Sequence, residues 1–364
     1  VKGDQIFMRE LIGKISENLK RVDFERLWKG FHRYPFALYD EKTVYLENGE
    51  IARDDRFFGN TAIVYEGGRL AIWNITGDPS AEDAETLAAD MVHEMFHAFQ
   101  QENGEKRYPH DLKTIRYPYD PENFNLKFAE NHLLADAYET ADAAQKRLYL
   151  NEICGLRQKR EGLIGDMVEC EYRTETLEGM ADYMGTSALK MISEEKYAQR
   201  CRDYTGKLRK LAPLQLDIRK ISYYAGVILL LTAKDMGIDF YYEITGAKEP
   251  VWRLIAANFE PDLPRDLSTV GDIGCVKELI LTVRAKHESE IEEFMRLFKS
   301  LKSGDFTITG YDPMNMLRIK NYILCKTFVR LTDHATNTAE ILTGETLLEM
   351  VSDSENKVVQ YFRK

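Results

Sequence analysis

Hydrophobic spacing divides the chain into stretches of different period. In "GDQIFMRELIGKISENLKRVD" the apolar residues Phe7, Leu11, Ile15 and Leu19 recur every four positions, which predicts an amphipathic helix. The period then shortens. "FALYD", "TVYLENG" and "NTAIVYEGGRLAIWNIT" are runs rich in β-branched and aromatic residues and predict strands. Gly67-Gly68, between the two halves of the last run, predicts a tight hairpin. Up to about residue 76 the pattern is a helix followed by a small, mostly antiparallel sheet.

From Asp78 the period lengthens again. "DPSAEDAETLAADMVHEMFHAFQQENG" has a proline at a first turn, a Ser80-x-x-Asp83 capping arrangement and Asn103-Gly104 at its far end. Together these predict one helix of about six turns. Helical patterns continue through residues 121–235 and, with loops, through 246–300. Alternation and β-branched content return in the last stretch, from "GDFTITGYDP" to "VVQYFRK". The expected fold class is therefore α+β. Residues 1–77 form the N-terminal helix and sheet, 78–300 a helical lobe, and 301–364 a β-rich C-terminal subdomain.

Composition narrows the function classes. The 364 residues are 44% hydrophobic and 30% charged, with a formal net charge of −11. That charge repels phosphate backbones and anionic lipid, so neither nucleic acid nor a membrane surface is an expected partner. Five widely spaced cysteines, Cys154, Cys170, Cys201, Cys275 and Cys325, form no C-x-x-C pair. They predict reduced structural thiols and a cytoplasmic setting, not a disulfide framework or a cysteine zinc site.

The candidate chemistry lies in "LAADMVHEMFHAFQQENG". His93-Glu94-Met95-Phe96-His97 fits H-E-x-x-H. Residues four apart on a helix share a face, so both imidazoles can reach one ion, while Glu94 lies about 100° around the axis and can reach a water. Zinc suits imidazole and carboxylate ligands. Leu87, Met91, Met95 and Phe99 make an apolar stripe that builds the segment into the core, where the polar groups need partners. A third ligand is available in "RTETLEGMADYMG". Glu178 can complete a His-His-Glu set, and Asp182, one turn on, can accept a proton from the far nitrogen of a ligating histidine. The small residues Gly179 and Ala181 let this helix pack close to the first. Taken alone, Glu171, Glu175, Glu178 and Asp182 also read as a solvated acidic face. Glu175, Glu130, Asp136 and His132 are other candidates for the third ligand.

H-E-x-x-H followed by a helix bearing E-G-x-A-D resembles the gluzincin branch of the zincin metallopeptidases, over roughly residues 60–240. The resemblance implies a zincin-like catalytic core, zinc held by His93, His97 and Glu178, Glu94 as general base, and Asp182 orienting His93. It also matches Tyr223, three residues before Gly226 in "ISYYAGVILLL", to a tyrosine that donates to the developing oxyanion, with Tyr224 in reserve. Two features depart from the pattern: some eighty residues separate His97 from Glu178, and Ala225 stands where a lysine is usual. In such enzymes an edge strand pairs with an extended peptide, and the hairpin before the metal helix is placed for that task. The implied function is zinc-dependent hydrolysis of a peptide or protein substrate. The aminopeptidase Gly-x-Met-Glu-Asn signature is absent, so exopeptidase action has no support. The rival reading is an inactive metallopeptidase-like fold used as a binding or scaffold module.

Overall fold

The computed structural model describes residues 2–241, 244–264 and 272–364. The protein is α+β, with two sheets separated by a helical region. Helix α1 (Lys2–Leu19) leads through the short α2 (Phe24–Leu27) into a five-stranded sheet. Its strands are β1 (Phe36–Tyr39), β2 (Thr43–Leu46), β3 (Gly49–Ala52), β4 (Thr61–Tyr65) and β5 (Gly68–Asn74). The spatial order is β3-β2-β1-β5-β4; β1 and β5 run parallel and the other pairs antiparallel.

Three local expectations change here. On α1 the buried face is Met8, Leu11, Ile12, Ile15 and Leu19, while Phe7 is exposed. The inward stripe thus follows the 3.6-residue period rather than strict steps of four. The hairpin turn is Glu66-Gly67, with φ of 47° and 83°, and Gly68 already pairs with Tyr65. Positive φ at both turn residues is what a two-residue loop needs to match strand twist. Strand β3 was not anticipated; its half-exposed Gly-Glu-Ile-Ala carries little apolar signal.

The metal-motif helix, α3 (Ala84–Glu102), starts later than the pattern suggests. Pro79–Ala81 forms a separate 3₁₀ turn capped by Asp78, and Asp83 caps α3 by accepting from the Glu85 and Thr86 amides. Asn103 and Gly104, the latter at φ 72°, end it. The chain continues through α4 (Asp111–Thr114), α5 (Pro121–Glu139), α6 (Ala143–Ile164) and α7 (Glu169–Thr174). A wide π turn, Glu175–Gly179, then feeds α8 (Met180–Ile192). Next come α9 (Glu194–Arg209), α10 (Ile218–Asp235), α11 (Val251–Ala256) and α12 (Ile273–Leu297). Within the expected helical stretch 246–300, residues 265–271 lie outside the described residues.

Two close approaches set the helix packing. A Cβ on Gly185 of α8 would stand 2.7 Å from the Ala89 carbonyl oxygen of α3 and 3.4 Å from the His93 Cβ. A Cβ on Gly179 would stand 2.8 Å from the Gly226 Cα of α10. Small residues do allow close packing, but Gly185 meets the metal-motif helix, whereas Gly179 meets α10. The main core runs under α1, α3, α5, α8 and α10.

The remaining strands are β6 (Ser300–Tyr311), β7 (Met316–Ile319), β8 (Tyr322–Cys325), β9 (Phe328–Asp333), β10 (Thr338–Thr343), β11 (Thr346–Met350) and β12 (Lys357–Arg363). They form a seven-stranded antiparallel sheet, β10-β9-β6-β12-β11-β8-β7. One core of this sheet takes in Leu112 and Ile115 from the α4 segment, and another takes in Ile291 and Phe294 of α12. Phe328 meets Phe58 edge-on at 4.5 Å, linking the sheet to the loop before β4. All five cysteines are free thiols; four are buried and Cys275 is exposed. Among the described residues, no helix is long and apolar enough to cross a membrane.

Candidate metal centre

Helix α3 presents His93 and His97 on one face, their Nε2 atoms 3.0 Å apart. His93, Glu94 and His97 place ligand-type atoms within 4.8 Å of one another, a group that can hold a metal ion. Glu178 reaches the same point from the π turn. Its Oε2 lies 3.2 Å from His97 Nε2 and 3.7 Å from His93 Nε2. Such π turns break the regular helix register and recur at functional sites. This one separates Glu175, which turns to Arg157, from Glu178, which turns to the histidines.

The environment determines which ring nitrogen of His97 is free. His97 Nδ1 lies 2.8 Å from Gln100 Oε1, and the Gln100 amide nitrogen donates to the Leu177 carbonyl at 3.2 Å. The Leu177 contact orients the amide, so Gln100 Oε1 must accept from Nδ1–H. In the neutral imidazole this contact puts the proton on Nδ1 and turns the Nε2 lone pair toward His93 and Glu178, as a metal ligand requires; without a metal, a protonated Nε2 can instead donate to Glu178 Oε2 at 3.2 Å. The contact expected of Asp182 is weaker. Its Oδ1 lies 4.0 Å from His93 Nδ1, and its carboxylate instead accepts from the Tyr204 hydroxyl at 3.0 Å.

Charge around the centre is dominated by acids. Burial opposes ionisation of His93, yet hydrogen bonding to Glu178 and the charges of Glu94, Asp182 and Glu178 push it up to about 9. Burial likewise works against an ionised Glu178, but the His97 charge, hydrogen bonds from both histidines and Arg219 hold it well below the usual carboxylate range. Glu94 is pushed up by burial, with His93 and His97 partly offsetting it. The His93 and Glu178 shifts express the same need: carboxyl groups around two imidazoles favour a positive charge between them.

Helix α10 supplies the far wall. Arg219 donates from Nη2 to Glu178 Oε1 at 2.8 Å and to the Tyr223 hydroxyl at 3.4 Å, and its Nη1 pairs with Asp111. The Tyr223 ring lies parallel to His93 with centroids 6.4 Å apart. Tyr224 faces away, against Tyr204 and under Lys207.

Glu171, Glu175, Glu178 and Asp182 are all buried, at most 8% exposed, which overturns the solvated acidic face. The other third-ligand candidates are engaged elsewhere. Glu130 and Glu175 pair with Arg157, Asp136 pairs with Arg209, and His132 packs edge-on against Phe128. Gln100, Arg219 and Asp111 were missed from sequence. Gln100 sits three residues after His97 and Arg219 four before Tyr223, both helical same-face spacings that were legible. Asp111 had no such signal. No protein-family model, curated protein or solved structure matches the chain.

Proposed function

We propose that this protein is a zinc-dependent peptidase of gluzincin type. Its zincin-like core would comprise the five-stranded sheet, α3 and α8, with His93, His97 and Glu178 as metal ligands. One observation carries the reading. The three candidate ligand atoms are separated by 3.0, 3.2 and 3.7 Å, whereas tetrahedral zinc with bonds of about 2.0–2.1 Å separates its ligands by about 3.3 Å. The donor set fits chemically as well, with the lone pair on His97 Nε2 and one carboxylate.

Zinc held there supplies Lewis-acid chemistry, polarising an amide carbonyl and making water more acidic. Glu94, offset from the ligand row on α3, takes the proton of the attacking water and passes it to the leaving amine. The Tyr223 hydroxyl donates to the oxygen that gains charge, where its hydrogen bond strengthens as the reaction proceeds. Arg219 holds Glu178 and Tyr223 in register from one guanidinium. Asp182 biases His93 electrostatically, and Gln100 orients His97. Strand β4 lies at the sheet edge beside the metal helix, where an extended peptide can add as a further strand.

Elemental analysis of the purified protein should find about one zinc per chain, and a peptide library should be cleaved in a chelator-sensitive manner. Glu94→Gln should retain the metal and lose roughly 10²–10⁴-fold in turnover. Undiminished turnover in that variant rejects the mechanism. Metal uptake without cleavage of any peptide would leave a metal-binding module instead of an enzyme.

A further inference from the structure

Beside Arg219 a cavity of 430 Å³ opens between α4, the start of α10, helix α12 and the segment that runs into β7. Its wall carries five cationic side chains, Arg219, Lys220, Lys286, Arg318 and Lys326, against two carboxylates, Asp111 and Asp217. This is a basic recess in a chain whose formal net charge is −11.

Part of that charge is already matched. Lys220 pairs with Asp217 at 3.1 Å, Lys326 with Glu290 at 2.6 Å, and Arg219 with Asp111 and Glu178. Among the described residues, Lys286 and Arg318 have no carboxylate within ion-pairing distance. Burial and the nearby Arg116 disfavour the charged guanidinium of Arg318, and Asp353 only partly offsets them.

Three buried nitrogens of wall residues also lack hydrogen-bond partners: Arg219 Nε, His287 Nδ1 and Arg318 Nη1. They come from α10, α12 and β7, and Arg219 is only 9% exposed. Arg219 Nε and Arg318 Nη1 are N–H donors without an acceptor, so both guanidiniums on this wall are short of negative partners that an anion in the cavity would supply.

We propose that this cavity binds a carboxylate of the substrate: an acidic side chain, or the terminal carboxylate, of the peptide cleaved at the His93–His97–Glu178 centre. The inference rests on the peptidase reading for the location of the scissile bond. Arg219 connects the two places, since it lines the cavity and donates to Glu178 at 2.8 Å. Because one arginine spans the two places, the anchored carboxylate belongs close in sequence to the cleaved bond. Ile218, Val283 and Leu317 share the wall and can cover the methylenes of an aspartate or glutamate side chain.

The test pairs cleavage with direct binding. Peptides that scan glutamate against glutamine, and a free against an amidated C-terminus, should show roughly 10–100-fold higher kcat/KM for the acidic member at one position. Lys286→Ala and Arg318→Ala should each erode that preference while leaving the neutral peptide unchanged. Succinate should bind the metal-free protein in calorimetry and bind more weakly to both variants. Cleavage without acid preference, or a preference surviving both substitutions, overturns the proposal and leaves the peptidase reading intact. Succinate binding that both variants weaken, without cleavage of any peptide, keeps the carboxylate site and removes the peptidase reading. Binding of inorganic phosphate with no binding of succinate overturns the carboxylate assignment.

Discussion

Two clusters of buried charge lie along the same helical run, Glu169 to Ile192, and they are balanced differently. The first joins Lys127, Arg157 and Arg160 to Glu130, Glu171 and Glu175, three cations against three carboxylates, all at most 1% exposed. Arg157 grips Glu175 with bonds of 2.6 and 2.7 Å, Arg160 reaches Glu130 at 2.6 Å, and Tyr117 and Asn123 take up remaining polar atoms. The second cluster surrounds the candidate metal centre. There, among the described residues, the carboxyl groups of Asp90, Glu94, Asp111, Glu178 and Asp182 have Arg200 and Arg219 as cationic partners, with two imidazoles between them.

The difference separates a structural network from a binding site. Buried ions are tolerated where opposite charges and hydrogen bonds offset the loss of water. The first cluster meets that condition within the chain, and it clamps the segment just before the π turn. The second gathers more carboxyl groups than cations around two imidazoles, and burial pushes Asp90, Glu94 and Asp111 toward their neutral forms; under the reading proposed above, a bound cation would let them ionise.

The contrast makes opposite forecasts for charge removal. Arg157→Ala takes the close cation from buried Glu175, leaving Lys127 at 3.9 Å, while Glu130 keeps Lys127 and Arg160; it should cost about 3–5 kcal/mol of stability, read as a large fall in thermal midpoint. Glu178→Gln removes one charge from an acid-rich site. Its metal-free form should lose less of its thermal midpoint than Arg157→Ala does, because Arg219 keeps Asp111 as a partner, while zinc content falls steeply. If the two variants melt alike, the distinction drawn between the clusters is wrong.

Asp182→Asn should weaken zinc binding by roughly 10–100-fold, as loss of groups behind metal ligands typically does. Competition with a chelator measures it. Because the Asp182–His93 separation is 4.0 Å, a value at the low end is expected, and Gln100→Ala should cost at least as much.

The smallest expected effect is in acid. Against the burial penalty, Arg157, Lys127 and Arg160 hold Glu130 below its ordinary range, and Arg160 and Lys127 do the same for Glu171. Depressed carboxylates contribute stability that is complete above the unfolded value, about 4.3, and is lost as pH falls through the folded values. Thermal midpoints should therefore decline below about pH 4. Glu130→Gln should reduce that slope; an unchanged slope in the variant would mean the cluster does not govern acid unfolding.

Much of this was legible from local pattern. The period of α3 put His93 and His97 on one face, and Gly67-Gly68 between two runs rich in β-branched and aromatic residues announced the hairpin. Other features were hidden for identifiable reasons. Arg157 and Arg160 sit on a long polar helix whose composition reads as solvent-facing, yet tertiary packing buries them against acids from α5 and α7. Asp111 meets Arg219 across 108 positions of chain, a distance over which no periodicity speaks. The four acids spaced at i, i+4, i+7 and i+11 looked like one face. The π turn and packing from two sides divided them between two clusters.

Local chemistry in the chain determined where helices and strands form, and that two imidazoles and a glutamate share a helix turn, because periodicity and caps act within a few residues. Tertiary structure alone decided that Glu178 meets those imidazoles and that Arg219 stands behind it. Those contacts depend on how closely α8 approaches α3 at Gly185 and α10 approaches the π turn at Gly226, and packing distances of that kind arise only once the whole core has closed.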